Sequence, residues 1–163
     1  MYMHLYSMHP FPRIPMEPIK LPCYCGAIRQ ASRVVTQVYD QELKPSGLKI
    51  TQFGILRLLS YRPGLTTGEM ATALVMDSTT LTRTLKIMHD NGWIAPQPGA
   101  DRRERHWHVA AEGQARLDQA TPLWKQAQKR FAQIADGVDL DALTRMVHGI
   151  AQRSGQALAE ETA

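Results

Sequence analysis

The sequence predicts a mainly helical chain carrying one small β-hairpin, with the hairpin set between helices. Three observations lead there. Apolar residues recur at steps of three and four in five separate segments, each segment bounded by a helix-starting or helix-stopping signal. One stretch only, "WIAPQPGADRRERHWHVAA", alternates instead, around a polar loop that contains glycine. No apolar run approaches the roughly twenty residues of a membrane span; the longest candidate, "FGILRLL", is interrupted by Arg57.

Residues 1–20, "MYMHLYSMHPFPRIPMEPIK", hold four of the ten prolines and no periodicity, and read as an irregular arm. Met16 offers an alternative start, and the absence of a basic segment followed by an apolar block speaks against a secretory leader. A cytoplasmic protein is the expectation. Residues 21–163 form one domain. From Pro22 the pattern turns helical, with Ile28, Ala31, Val35 and Val38 on one stripe, and "LKPSGL" stops it through Pro45 and Gly47. Thr51 is placed to cap a short apolar helix ending near Leu59 at "RPG". In "TTGE", Thr66 and Glu69 have capping-box spacing for a third helix, which turns Met70, Ala71 and Leu74 inward.

The next segment, "DSTTLTRTLK", is odd for a helix, with four threonines and a serine in ten residues. Threonine loses rotamer freedom against the preceding turn and is a mediocre helix former. Yet Asp77 is a natural N-cap, Leu81, Leu85 and Met88 make a buried stripe, and Gly92 suits a left-handed stop. Two strands follow, Trp93–Gln97 and Arg105–Val109. The last fifty residues are helical again: one long segment with a kink expected at Pro122, which cannot donate to the helical ladder, then a helix capped by Asp139 with Leu140, Leu143, Val147 and Ile150 on one face.

Two short helices, a tight connection and a hairpin make a winged helix-turn-helix over residues 48–110, flanked by helices over 21–47 and 111–163. A recognition helix packs one face on its own domain and offers the other to the major groove. Short hydroxyls let its backbone approach, and they donate to phosphates or base edges. On that logic Ser78, Thr79, Thr80 and Thr82 position the helix, Arg83 reads a base and Lys86 meets a phosphate. The loop tip "GADRRER" places Arg102, Arg103 and Arg105 where a minor groove concentrates negative potential, with Asp101 orienting an arginine. Net charge is only +4, from 19 Lys and Arg against 15 Asp and Glu. The basic cluster in the middle, against an acidic C-terminus, therefore says more than the total.

These stretches resemble the MarR-type (multiple-antibiotic-resistance) transcriptional regulators. The residues that carry the likeness are "YDQELKPSGLKITQFGILRLL", "LTTGEMATALVMDSTTLTRTLKIMHDNGWI" and "DRRERHWHVAAEGQ". The resemblance implies a homodimer, with the first and last two helices as its interface. It also implies a pseudo-palindromic duplex operator with half-sites about ten base pairs apart, and it makes Arg103 the minor-groove finger. One departure is visible: Ala110-Ala111 stand where the family usually has Leu-Thr, so the cap of the fifth helix is lost. Family members commonly bind small aromatic acids or phenolics between the dimer region and the winged unit. Arg33, Tyr39, Trp107 and Trp124 are candidates by position, and release from DNA by such an effector is the expected switch.

Cys23 and Cys25 are too closely spaced for the usual CxxC redox or zinc pattern, and no second ligand pair follows. Cys25 nevertheless falls where peroxide-sensing members resembling this chain carry a reactive cysteine at a helix start, and Tyr39 matches one tyrosine of the surrounding cradle. Other cradle positions hold Arg29 and Ile50. Oxidant sensing through Cys25 is thus an alternative to a small organic effector. No cofactor or metal is expected, since the six histidines have no adjacent nucleophile or carboxylate pattern and no Gly-rich phosphate loop occurs. His106 and His108 share one strand face, expected beside the wing and toward solvent. Catalysis is not expected. A helical interaction module without DNA binding is the remaining alternative, against which Thr80, Arg83 and Arg103 argue.

Overall fold

The computed structural model describes residues 18–20, 22–98 and 105–161. The first helix, α1 (Tyr24–Leu43), ends in a single 3-10 turn, Lys44–Ser46, and Gly47 at φ 73° reverses the chain. Three short helices follow: α2 (Ile50–Tyr61), α3 (Thr67–Leu74) and α4 (Ser78–Asp90). The hairpin β1 (Ile94–Pro98) and β2 (Arg105–Val109) is antiparallel, with Ile94 opposite Val109 and Gln97 opposite His106. Two long helices close the chain, α5 (Ala111–Ile134) and α6 (Leu140–Glu161). The mainly helical class with one small hairpin is what the sequence predicts.

The core sits inside the winged unit. Leu48, Ile55, Leu56, Leu59, Met70, Leu81, Leu85, Met88 and Ile94 are buried almost completely, with Trp107 closing them from the hairpin. The capping box at α3 is present: Glu69 N–H donates to Thr66 Oγ1 at 3.2 Å, and Thr66 N–H donates to Glu69 Oε2 at 2.7 Å. Asp77 caps α4, accepting from Thr80 N–H at 2.8 Å. Gly92, at φ 71°, ends that helix, with its N–H on the His89 carbonyl and the Trp93 N–H on that of Met88.

Several local expectations need correction. The residue preceding α2 is Lys49, not Thr51, which lies within the helix; Lys49 N–H donates to Gln52 Oε1 at 2.9 Å and Ile50 N–H to Asp40 Oδ1 at 2.8 Å. A side chain ten residues upstream does the work expected of a local cap. The first strand starts at Ile94, one residue late, because Trp93 N–H is still tied to the end of α4. The long segment over residues 111–134 is one helix with Pro122 inside it, as expected, and Thr121 Oγ1 donates to the Leu117 carbonyl at 2.7 Å in the turn before it. The apolar stripe of α1 grades from outside to inside: Ile28 and Ala31 are exposed, Val35 and Val38 half-buried, and Tyr39 and Leu43 buried. Tyr39 stands against α5, its ring 6.3 Å from that of Phe131 and its hydroxyl bonded to Gln128 Oε1. Glu42 and Arg130 close the same seam at 2.7 Å.

His106 and His108 are half-buried rather than solvent-facing. The His106 ring nitrogen lies 2.7 Å from the Gly64 carbonyl, and a Cβ on Gly64 would meet His108 at 3.5 Å. Both histidines pack under the α2–α3 connection. There Gly64 N–H bonds to the Trp107 carbonyl and Trp107 N–H to that of Leu65, adding a one-residue third strand to the wing.

At the base of the wing, the lost cap of α5 is replaced by a close approach. Ala110 has no side-chain cap, but its N–H donates to the Trp93 carbonyl at 3.0 Å. Gly113 then lies so near that a Cβ there would stand 1.9 Å from that carbonyl oxygen. Only glycine fits.

Candidate nucleic-acid interface

At 3.6 residues per turn, Leu81, Leu85 and Met88 fall on one side of α4 and Thr79, Thr82, Arg83 and Lys86 on the other. Burial agrees: the first set is buried and the second exposed. Ser78 is also exposed, on the flank toward α6. Thr80 lies on the opposite flank, and both its hydroxyl and its N–H bond the Asp77 carboxylate, which they hold below the ordinary carboxylate range. Thr80 therefore serves the cap. Thr84 Oγ1 donates back to the Thr80 carbonyl at 3.0 Å, so its hydroxyl is taken up within the helix while Thr79 and Thr82 present theirs outward.

Arg105 opens β2 and is exposed. It shares a hollow of about 460 Å³ with Thr82, Lys86 and Asp90 of α4 and with Trp107, so the hairpin and the outer face of α4 border one depression. Trp107 Nε1 donates to Thr67 Oγ1 at 3.0 Å, and the His89 and Trp107 rings meet edge-on at 6.0 Å. These contacts fix the hairpin against α3 and α4. Lys86 Nζ lies 2.6 Å from Asp90 Oδ2 one turn on, an exposed pair worth about 0–1 kcal/mol and easily exchanged for a phosphate. Asp101, Arg102 and Arg103 lie outside the described residues.

The other predicted sites are not assembled. Cys23 stands at the N-cap of α1 and Cys25 in its first turn, both exposed and free. Tyr39 is fourteen residues further along the same helix, about 21 Å away at 1.5 Å per residue, so within one chain it cannot cradle Cys25. Burial pushes its phenol above the ordinary value, consistent with a packing role. The four effector-pocket residues also separate. Arg33 is exposed on α1, Tyr39 sits between α1 and α5, and Trp107 lies under the wing. Trp124 stacks on Phe53 at 5.8 Å with the Arg57 guanidinium 5.2 Å from its ring. Among the described residues no His, Cys, Asp or Glu cluster could hold a metal, and no helix is long and apolar enough to cross a membrane.

A hydroxyl-rich helix exposed beside a hairpin on one rigid core defines a winged helix-turn-helix DNA-binding protein. The sequence model of the MarR family matches residues 48–104. The transcriptional regulator MosR of M. tuberculosis, solved in complex with DNA, is 34% identical with a TM-score of 0.74, over 83% of this chain and 98% of that one. The uncharacterized HTH-type transcriptional regulator YwoH of Bacillus subtilis (strain 168) is 28% identical over 107 residues, 66% of this chain and 68% of its own. The repressor CouR, bound to a 23-mer DNA duplex, shares the fold at 24% identity and a TM-score of 0.71, over 83% and 99% of the two chains. The chain belongs to the MarR family. It is a DNA-binding transcriptional regulator and not an enzyme.

Proposed function

We propose that this protein is a homodimeric repressor that reads a pseudo-palindromic duplex and is released by a small organic effector. The observation that carries the DNA-reading part is the division of α4, with Thr79, Thr82, Arg83 and Lys86 bare on one face and Leu81, Leu85 and Met88 buried on the other. On this reading α4 enters the major groove, Arg83 meets a base edge, Lys86 meets a phosphate, and the wing carries Arg103 and Arg105 to the adjacent minor groove. Ser78 and Thr79 face the backbone at the helix N-terminus, where free N–H groups and the helix dipole favour phosphate.

Dimerisation through residues 21–47 and 111–163 is supported by apolar side chains that one chain leaves in solvent. Leu143, Met146, Val147 and Ile150 are between 37% and 59% exposed, and Ile28 and Val34 on α1 are each 50% exposed. The spacing of the α6 set, three, four and seven, is that of one helical face. Two winged units held by such helices would meet half-sites about one helical turn apart. MosR, similar over nearly all of its length, was solved on DNA. The cytoplasm is the compartment this function requires.

The test is selection of bound duplexes from random DNA, followed by anisotropy titration and sedimentation on the same sample. A selected site with two inverted half-sites, bound by two chains, is the expected result. A monomer bound to a single half-site, or no selected sequence, would refute the reading.

A further inference from the structure

Ile87 stands on the outer side of α4, about one turn after Arg83 and roughly 40° round the axis from it. It is 52% exposed and lies outside both the buried core and the partly buried residues packed around that core. Every other exposed position of α4 carries a hydroxyl or an ionisable group, so Ile87 is the single apolar side chain that this helix turns to solvent. We propose that Ile87 determines specificity by packing on the C5-methyl group of a thymine beside the base that Arg83 reads. The inference rests on the reading above, in which α4 enters the major groove, and adds the residue that tells thymine from the other bases there.

A lone exposed isoleucine is ordinary on most protein surfaces. On a face that meets DNA it is not neutral. The base edges in the major groove present hydrogen-bond donors and acceptors, and the thymine methyl is their one apolar projection. An isoleucine laid against any other edge would strip water from a polar group without replacing its hydrogen bond. Against the methyl group both partners leave water together, and the contact is favourable. Lysine or arginine at this position would have added to the phosphate attraction of Arg83 and Lys86, which is the same for every sequence. Isoleucine forgoes that attraction and supplies discrimination.

The side chain is also held ready. A β-branched residue in a helix keeps essentially one χ1 rotamer, so little side-chain freedom is lost on contact. Asn91 fastens the backbone beneath it: its N–H donates to the Ile87 carbonyl at 3.1 Å, and its Nδ2 donates to the same oxygen at 2.7 Å. Four residues advance a helix by about 6 Å, and stacked bases are about 3.4 Å apart along a strand. The thymine therefore lies within about two base pairs of the one that Arg83 meets.

The probes are the selected duplex and copies in which each thymine in turn is replaced, in both half-sites, by deoxyuridine, which lacks the C5-methyl and keeps every hydrogen-bonding group. Anisotropy titration of the full-length protein reads each affinity. At one thymine, within about two base pairs of the position where Arg83→Ala relaxes preference, deoxyuridine should weaken wild type about fifteenfold. That is about fourfold per half-site, corresponding to one buried methyl group in each. Ile87→Ala puts a better helix former at an exposed position and should bind those two duplexes equally, with Ile87→Val between it and wild type. The absence of any thymine at which wild type is sensitive overturns the proposal. So does an Ile87→Ala protein that binds all duplexes more weakly and keeps the deoxyuridine effect, as loss of a merely structural side chain would. Either result with a selected duplex in hand removes the Ile87 contact alone, whereas wild type that selects no duplex removes the major-groove reading and the proposal with it.

Discussion

Replacing Gly113 by alanine should destabilise the fold, against the ordinary expectation for a helix. Gly113 is the third residue of α5, where Gly→Ala normally gains up to about 1 kcal/mol in helix propensity. Here the new Cβ would stand 1.9 Å from the Trp93 carbonyl oxygen and 2.8 Å from its carbon, and must retreat by 3.0 − 1.9 = 1.1 Å merely to reach the shortest separation seen at real Cβ atoms. Both partners are backbone and cannot swing away. Overpacking of this sort costs about 1–3 kcal/mol, and a rigid neighbour places it at the upper end. Subtracting the propensity gain leaves a net loss of about 2 kcal/mol, or roughly 4–8 °C in Tm for a chain of this size. The Ala110 N–H bond to the same carbonyl would be strained as well. Gly54→Ala in α2 is the control, since a Cβ there meets nothing within 4 Å; it should stabilise by about 0.5–1 kcal/mol. Thermal unfolding at one fixed protein concentration compares them, because an assembling protein has a concentration-dependent Tm. A Gly113→Ala protein as stable as wild type would show that α5 does not rest on Trp93 as described.

Three further outcomes concern DNA and pH. Arg83→Ala should lower discrimination between the selected duplex and a scrambled one by about 1–3 kcal/mol; unchanged discrimination in anisotropy would remove the base contact. Lys86→Ala should weaken all duplexes alike and reduce the salt slope by about one, while Asp90→Asn, which frees Lys86 from its 2.6 Å partner, should strengthen them without changing preference. A salt slope identical in wild type and Lys86→Ala would mean that Lys86 never meets a phosphate. For pH, the Thr80 hydrogen bonds hold the Asp77 carboxyl below its ordinary value of 3.8, so its stabilisation is complete above that value and lost as pH falls through the depressed one. Asp77→Asn, which keeps a capping side chain, should therefore lose less stability than wild type between about pH 5 and about pH 3; equal losses measured by thermal unfolding would mean the cap is not ionised.

The recognition helix was legible because everything that makes it is local. Asp77 lies three residues before the N–H it caps, Leu81, Leu85 and Met88 repeat within one helix, and Gly92 stops it. The capping box of Thr66 and Glu69 was legible for the same reason. What escaped depends on partners distant in sequence. Asp40 supports the start of α2, Leu65 pairs with Trp107, and His106 and His108 turn to Gly64 because the α2–α3 connection covers that strand face. Gly113 reads as a weak helix residue until Trp93 is placed against it. Nothing near Val75 in the sequence marks the left-handed turn that its φ of 51° makes. Arg33, Tyr39, Trp107 and Trp124, chosen by position along the chain, lie apart within one chain, Arg33 exposed and the other three each packed against a different neighbour, a separation that no local pattern records.

One physical tension runs through the chain and bears on how the regulator would work. The winged unit and the adjoining ends of α1 and α5 share one buried core, from Leu43 to Ala120, whereas α6 leaves Leu143, Met146, Val147 and Ile150 between 37% and 59% exposed. Exposed apolar area of that kind costs about 25 cal/mol per Å² relative to burial, so the long helices reach their stable arrangement only against another surface. In the proposed dimer that surface is a second α1 and α6, and the contact that completes the fold is then also the hinge that sets the distance between two copies of α4. A shift in that contact need not touch the α4 face of Thr82 and Arg83 to end recognition, because half-sites about one helical turn apart are read only by helices held at matching distance. Affinity for the operator and packing at α6 thus become one coupled equilibrium, and an effector acts through it in proportion to its preference for one spacing over the other.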